Sequence, residues 1–250
     1  MNRWVMLVVA CLLAACAASA ERGDDERVDD VVRGARDRGR HPAVVAIRTR
    51  AGELCTGALV APRLVLTARH CVSATVDFID CSARRQVLGD LPAASLRVVT
   101  DEDALRGPTA AYVARVVVPA GRRLCGADAA VLVLDRALTE IAPLAVDDRA
   151  LPREGDAVTV VGYGLRGDSP RAGVGLRYTR SGVRVVAVRD DEVVTGEGTC
   201  GGDSGSPLLD ARTGRIVGVL SRGSDRCVGG DSLAVWTRAS VAQRLIDAAR

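Results

Sequence analysis

The sequence predicts an antiparallel all-β fold, a sandwich or a barrel, on three observations. Short β-branched runs recur from Val44 onward, among them "AVVAI", "RLVLTA", "LRVVT", "ARVVV", "AAVLVLD", "AVTVVGYG", "GVRVVAV" and "RIVGVLS". Gly, Pro and Asp punctuate these runs at the spacing of turns. No long 3.6-residue apolar pattern lies between them, whereas a parallel sheet needs a helix between consecutive strands.

At 250 residues the chain can bury a sizeable core as one domain or two packed halves. Its start, "MNRWVMLVVACLLAACAAS", joins a basic Arg3 to an apolar run too short to span a membrane permanently. That is the form of an export signal over residues 1–20. Leu13-Ala14-Ala15-Cys16 resembles the bacterial lipoprotein box, in which the cysteine becomes lipid-modified and N-terminal after cleavage. The rival reading is an ordinary signal cut after Ala18 or Ala20, with Cys16 discarded. The expectation is a secreted, periplasmic or cell-surface protein, anchored in the membrane if Cys16 is lipidated. Residues 21–30 are small and charged and read as a linker or propeptide.

At the other end, Ser240 and Gln243 form a capping-box pattern ahead of Val241, Leu245 and Ile246, which predicts one short amphipathic helix. All 34 basic residues are arginines, interspersed with 31 acidic residues, and aromatic residues make up 2%. A basic patch and stacking platforms for bases are both missing from the sequence pattern, so nucleic acid is not an expected partner.

Six cysteines lie beyond the signal: Cys55, Cys71, Cys81, Cys125, Cys200 and Cys227. In an oxidising compartment they predict three disulfides, with the pairing open among about 15 connectivities. A zinc site is disfavoured, because no C-x-x-C occurs and the chain has only 2 histidines.

The stretch "GTCGGDSGSPL" gathers glycines around Ser204. A serine hydroxyl is a weak nucleophile until a base takes its proton and a third group fixes that base. His41, in "GRHPAV", reads as an ordinary loop histidine, while His70, in "VLTARHC", follows an apolar strand directly. The segments "LTARHC", "DAAVLVLD" and "GDSGSP" occur in the order histidine, aspartate, serine. Over about residues 31–240 the chain thereby resembles the trypsin and chymotrypsin family of serine proteases, in particular its secreted bacterial members.

The resemblance implies two antiparallel six-stranded β-barrels, at about 31–145 and 146–238, with the site in the cleft between them and a helix at about 240–249. It implies His70 as general base, Asp128 as its orienting partner and Ser204 as nucleophile of an endopeptidase. The amides of Gly202 and Ser204 would receive the oxyanion. Asp203 would pair with a new N-terminal amine at Val31, in "VVRGARDRGRHPAVV", after a cut between Asp30 and Val31. The family usually cuts after a basic residue there.

The resemblance also pairs Cys55 with Cys71 and Cys200 with Cys227, which leaves Cys81 to Cys125. Gly198 falls at the base of the specificity pocket, where an aspartate would predict cleavage after Arg or Lys. Ser221, Arg222 and Gly223 form the wall that binds an extended substrate backbone, with Arg222 in place of an aromatic residue. Asp231 and Glu197 are candidate acids near the pocket, each also readable as an exposed loop carboxylate. Protein or peptide substrates, a monomer and no metal or organic cofactor complete the implied picture. The alternative is a catalytically silent, surface-tethered binding protein on the same fold. An esterase of the nucleophile-elbow type is disfavoured, since no histidine follows Ser204.

Overall fold

The computed structural model describes residues 34–150, 152–169, 173–224, 226, 227, 229 and 232–250. The expected signal, Cys16, the Asp30–Val31 junction and Asp231 lie outside the described residues. The first half carries strands β1 (Ala35–Arg36), β2 (Val44–Thr49), β3 (Leu54–Ala61), β4 (Leu64–Thr67), β5 (Ser73–Thr75), β6 (Val87–Asp90), β7 (Leu96–Val99), β8 (Ala111–Val117) and β9 (Ala130–Leu134). The second carries β10 (Ala157–Gly162), β11 (Tyr178–Arg189), β12 (Glu192–Thr195), β13 (Pro207–Asp210), β14 (Ile216–Gly223) and β15 (Ala234–Arg238), and the chain ends in helix α1 (Ala239–Ala249).

Both halves close into six-stranded antiparallel barrels. The first runs β2-β3-β4-β9-β8-β7 and back to β2. The second runs β11-β10-β13-β14-β15-β12 and closes where Val185–Arg189 of β11 pair with β12. β1 adds outside that ring, with Ala35 and Arg36 opposite Thr179 and Tyr178 of β11. Closure leaves no long strand edge open, and the interiors fill with the aliphatic side chains of the runs read from the sequence. Val45, Leu59, Leu66, Leu132 and Leu134 are fully buried in the first barrel, and Val160, Val193, Leu208 and Trp236 in the second. Trp236 keeps its one polar group satisfied by donating Nε1–H to Thr195 Oγ1 at 2.9 Å.

The helix exists where the sequence places it, but the capping box does not form. The N-cap is Arg238, and no side chain caps the helix. Arg238 is still in the sheet, opposite Gly218 of β14. The strand therefore runs into the helix without a loop, Ser240 falls inside the first turn, and Gln243 bonds Asp247 at 2.8 Å instead. Val241, Leu245 and Ile246 are buried as expected.

A buried polar cluster that the sequence pattern does not reveal crosses between the barrels. Asp37, fully buried just after β1, accepts hydrogen bonds from the His41 ring at 2.6 Å, the His41 amide at 3.0 Å and Arg177 Nε at 3.0 Å. Arg177 also donates to the carbonyls of Val44 and Thr100 and to the Tyr163 hydroxyl. Tyr163 in turn donates to the carbonyls of Val44 and Asp101. Burial alone would raise the Asp37 pKa, but the His41 bonds and the Arg177 charge outweigh it and hold the carboxyl at about 2, against 3.8 in an open chain.

A depressed carboxyl stabilises the fold above its open-chain value and loses that contribution as pH falls toward its folded value. Asp37 thus contributes about 2 kcal/mol at neutral pH, lost between roughly pH 4 and pH 2. In urea unfolding across that range, Asp37→Asn should show a shallower pH dependence than the parent by this amount.

Candidate active site

Strand β4 delivers the histidine. After Thr67 the chain turns through a single 3-10 turn, Arg69–Cys71, that places Cys71 against β3, where it bridges to Cys55. Arg69 is buried and donates to the carbonyls of Pro119 at 3.0 Å and Gly121 at 2.8 Å, tying this turn to the loop that carries Asp128. That loop is pinned twice more. Cys125 bridges to Cys81, and fully buried Gln86 accepts from the Leu124 amide at 2.9 Å while donating to the carbonyls of Asp80 and Ala83.

Asp128, 1% exposed, is the focus of the site. Its Oδ1 accepts the His70 amide at 3.0 Å, and its Oδ2 accepts His70 Nδ1–H at 2.8 Å and the Ser221 hydroxyl at 2.7 Å. Burial would raise its pKa, but the His70 charge and these hydrogen bonds outweigh it and hold the carboxyl low. Burial would likewise lower the His70 pKa, and the neighbouring carboxylate outweighs that and raises it above 6.5. An ionised carboxylate can only accept, so the neutral ring carries its proton on Nδ1 and leaves Nε2 as a base.

The serine loop is seated on the first barrel. The Ser204 carbonyl accepts the Thr56 amide at 2.8 Å, the Gly202 carbonyl accepts Thr56 Oγ1 at 3.0 Å, and Gly205 donates to Leu220 O at 2.9 Å. Gly202 and Gly205 have φ of 97° and 83°, the left-handed region that favours glycine. A Cβ at Gly205 would also overlap the Thr56 carbonyl and the Thr67 hydroxyl. Among the described residues the Gly202 and Ser204 amides have no acceptor, so two donors flank the serine. His70 and Ser204 line one cleft of about 500 Å³ beside the Cys55–Cys71 bridge. No hydrogen bond joins the Ser204 hydroxyl to the imidazole among the described residues. In free sites of this kind that contact is commonly loose and tightens around substrate.

Asp203 is fully buried, and its carboxylate accepts the amides of Gly164 at 2.8 Å and Cys200 at 3.0 Å. Burial raises its pKa to about 7 against the lowering pull of those two bonds. The expected partner Val31 lies outside the described residues. Gly198, expected at the base of a specificity pocket, is buried against Val183, and Cys200 bridges to Cys227. A Cβ at Gly223 would meet the Leu233 carbonyl and the Thr199 hydroxyl. Glu197 is not an exposed loop carboxylate: its side chain is 14% exposed and pairs with Arg180 at 3.4 Å. Arg222 pairs with Glu192 through two bonds, at 2.7 and 2.9 Å. His41 is spent on Asp37 and takes no part here. The grouping of Cys55, His70 and Cys71 offers no metal site, since both sulfurs are in a disulfide.

Gly205→Ala should cost at least about 2 kcal/mol, from the left-handed backbone together with the overlap on Thr56 and Thr67. Chemical denaturation of the variant reads this directly.

The family model described as Trypsin matches residues 31–246. The Cercarial protease of Schistosoma mansoni is 28% identical over 241 residues, 89% of each chain. Serine protease SP24D of Anopheles gambiae is 30% identical over 201 residues, 73% of this chain and 67% of the relative. Among solved structures, neuropsin, a serine protease expressed in mouse brain, superposes with a TM-score of 0.63 at 20% identity, over 83% of this chain and 94% of that one. A mutant of human heparin binding protein superposes with 0.66 at 22% identity, over 86% and 93%. These two share the fold. With three disulfides, two closed barrels and a family match across most of its length, the chain belongs to the trypsin family of serine proteases.

Proposed function

We propose that the chain is an exported serine endopeptidase working through His70, Asp128 and Ser204. The observation that carries this reading is the buried Asp128 carboxylate holding both nitrogens of His70, main chain and ring, at the rim of the cleft that Ser204 lines. Nε2 then takes the Ser204 proton as the hydroxyl oxygen attacks a peptide carbonyl. The oxyanion is received by the amides of Gly202 and Ser204. His70 passes the proton to the leaving amine, and water repeats the sequence on the acyl-enzyme. Neither step calls for a metal. Gly198 supplies no carboxylate at the pocket base, and Glu197 is already paired with Arg180, so the reading assigns no preference for basic side chains. Export rests on the apolar start of the sequence and on disulfides, which persist in oxidising compartments; the lipid-anchored form rests on Cys16.

Activation by a cut between Asp30 and Val31 is part of the proposal. Two features support it. An ionised Asp203 has no cation beside it among the described residues, so a liberated amine would relieve the cost of its burial. β1 also lies two strands from Gly162, across β11, and Gly162 packs directly on the Asp203 carboxylate. That separation is about 10 Å, and the four residues from Val31 to Ala35 span up to about 13 Å.

A fluorophosphonate probe should label the chain once it begins at Val31, label the uncut chain far less, and leave Ser204→Ala unlabelled. Labelling that survives Ser204→Ala would remove the serine from its role, and no labelling of the cut chain would favour the silent binding protein.

The raised His70 pKa places the acid limb of kcat/KM above pH 6.5, since the base must be neutral to act. Asp128→Asn should move that limb to lower pH and reduce kcat by about 10⁴-fold, the loss established for such triads. A pH–rate series on a peptide substrate measures both.

A further inference from the structure

The sequence intersperses its arginines with acids, but the fold gathers five of them into one groove. Arg122 and Arg123 lie on the loop ahead of Asp128, Arg84 on the loop that the Cys81–Cys125 bridge ties to it, and Arg189 at the end of β11. They line a groove of about 960 Å³. Arg122 donates to the Leu88 carbonyl at 2.7 Å and Arg123 to the Cys81 carbonyl at 3.2 Å, bonds that orient the guanidiniums without neutralising them. None of the four makes an ion pair within 4 Å among the described residues, though Arg189 lies opposite Glu192 across the strands and its charge acts on that carboxylate.

The fifth arginine of the groove, Arg222, is different. Glu192 grips it in a fork, and the Gly126 amide donates to the same carboxylate at 2.8 Å. Arg222 is therefore a rigid, neutralised divider. On its other side it lines a small pocket of about 140 Å³ with His70, Asp128 and Ser221. The basic groove and the catalytic cleft are thus neighbours across one side chain, on the side of the Ser221–Gly223 wall. Beyond Ser204, toward the Cys55–Cys71 bridge, the cleft is lined by Ile47, Leu54 and Leu91 and by a single carboxylate, Glu53. The two ends differ in sign.

We propose that the arginine groove binds acidic residues of the substrate chain on the acyl side of the scissile bond, so that substrates with an acidic stretch ahead of the cut are selected. This rests on the endopeptidase reading and names its substrate class. A long polyanion fits less well, because Asp190 and Asp191 sit in the same groove and interrupt the positive field.

The test uses the processed chain and three peptides sharing one cut sequence taken from a neutral library. One is neutral, one carries an acidic run several residues ahead of the cut, and one carries the same run after it. The acyl-side peptide should exceed the neutral one in kcat/KM by roughly tenfold at low salt, the yield of a few exposed charge pairs. The advantage should shrink toward one at about 0.5 M salt, where screening is short-ranged. Acid placed after the cut should give no advantage. In Arg84→Ala/Arg123→Ala/Arg189→Ala the ratio should fall to about one, while Arg212→Ala, on the β13–β14 turn, should keep it.

A binding arm separates the two readings: labelled acidic peptide titrated into processed Ser204→Ala should bind more tightly than neutral peptide, and lose this in the triple variant. Equal cleavage and equal binding of the peptides, or a preference that persists without the arginines, overturns the proposal. Binding of a sulfated polysaccharide through the same arginines, with no peptide preference, also overturns it. Arginine-dependent peptide binding with no cleavage by the parent leaves docking standing and removes the protease reading.

Discussion

A single buried carboxylate draws the two barrels to one point. Asp128 accepts two hydrogen bonds from His70 of the first barrel and one from Ser221 of the second. Ionised and out of water, it is tolerable only while those donors stay in place, since an unpaired buried charge costs several kcal/mol. The Arg69 turn, the Cys81–Cys125 bridge and the Gln86 side chain all act on its surroundings, fixing the height at which the carboxylate meets the imidazole. The setting of the histidine is therefore inherited from packing on the far side of Asp128.

The serine loop depends on the same meeting of halves. Thr56, from β3, donates its hydroxyl to the Gly202 carbonyl and its amide to the Ser204 carbonyl, while the same hydroxyl accepts the Tyr163 amide at 3.1 Å. Asp203 faces away from the cleft into the Gly162–Gly164 turn. Its burial makes the loop beside Ser204 sensitive to the charge state of that one carboxyl.

Much of this was legible beforehand. The β-branched runs announce an antiparallel sandwich or barrel, and it is the family resemblance carried by three segments that implies two barrels and sets His70 beside Asp128. The disulfide pairs follow the family resemblance. Other features were not legible for physical reasons. β3 reads poorly because Cys55 and Gly57 break its pattern, yet a Cβ at Gly57 would press on Ile47 and Val65, so the barrel requires that gap. The capping box at Ser240 failed because an unbroken strand-to-helix junction moved the helix start upstream. Arg177, Arg69 and Gln86 look like surface residues in a linear reading, since their partners are carbonyls and amides distant in sequence. The pairing of Glu197 with Arg180 and the gathering of Arg84, Arg123 and Arg189 are likewise properties of the closed fold alone.

Helix α1 follows the last strand of the second barrel, yet Ala242, Leu245, Ile246 and Ala249 join the apolar core that Val44, Leu66 and Leu132 build in the first. Arg115 of β8 donates to the Ala249 carbonyl at 3.0 Å and fastens its end. The half synthesised earlier thus stays short of its own interior until residues 239–249 have been made. A chain interrupted before Ala239 would carry His70, Asp128 and Ser204 and still leave an apolar floor open to water, so premature products would be prone to aggregate.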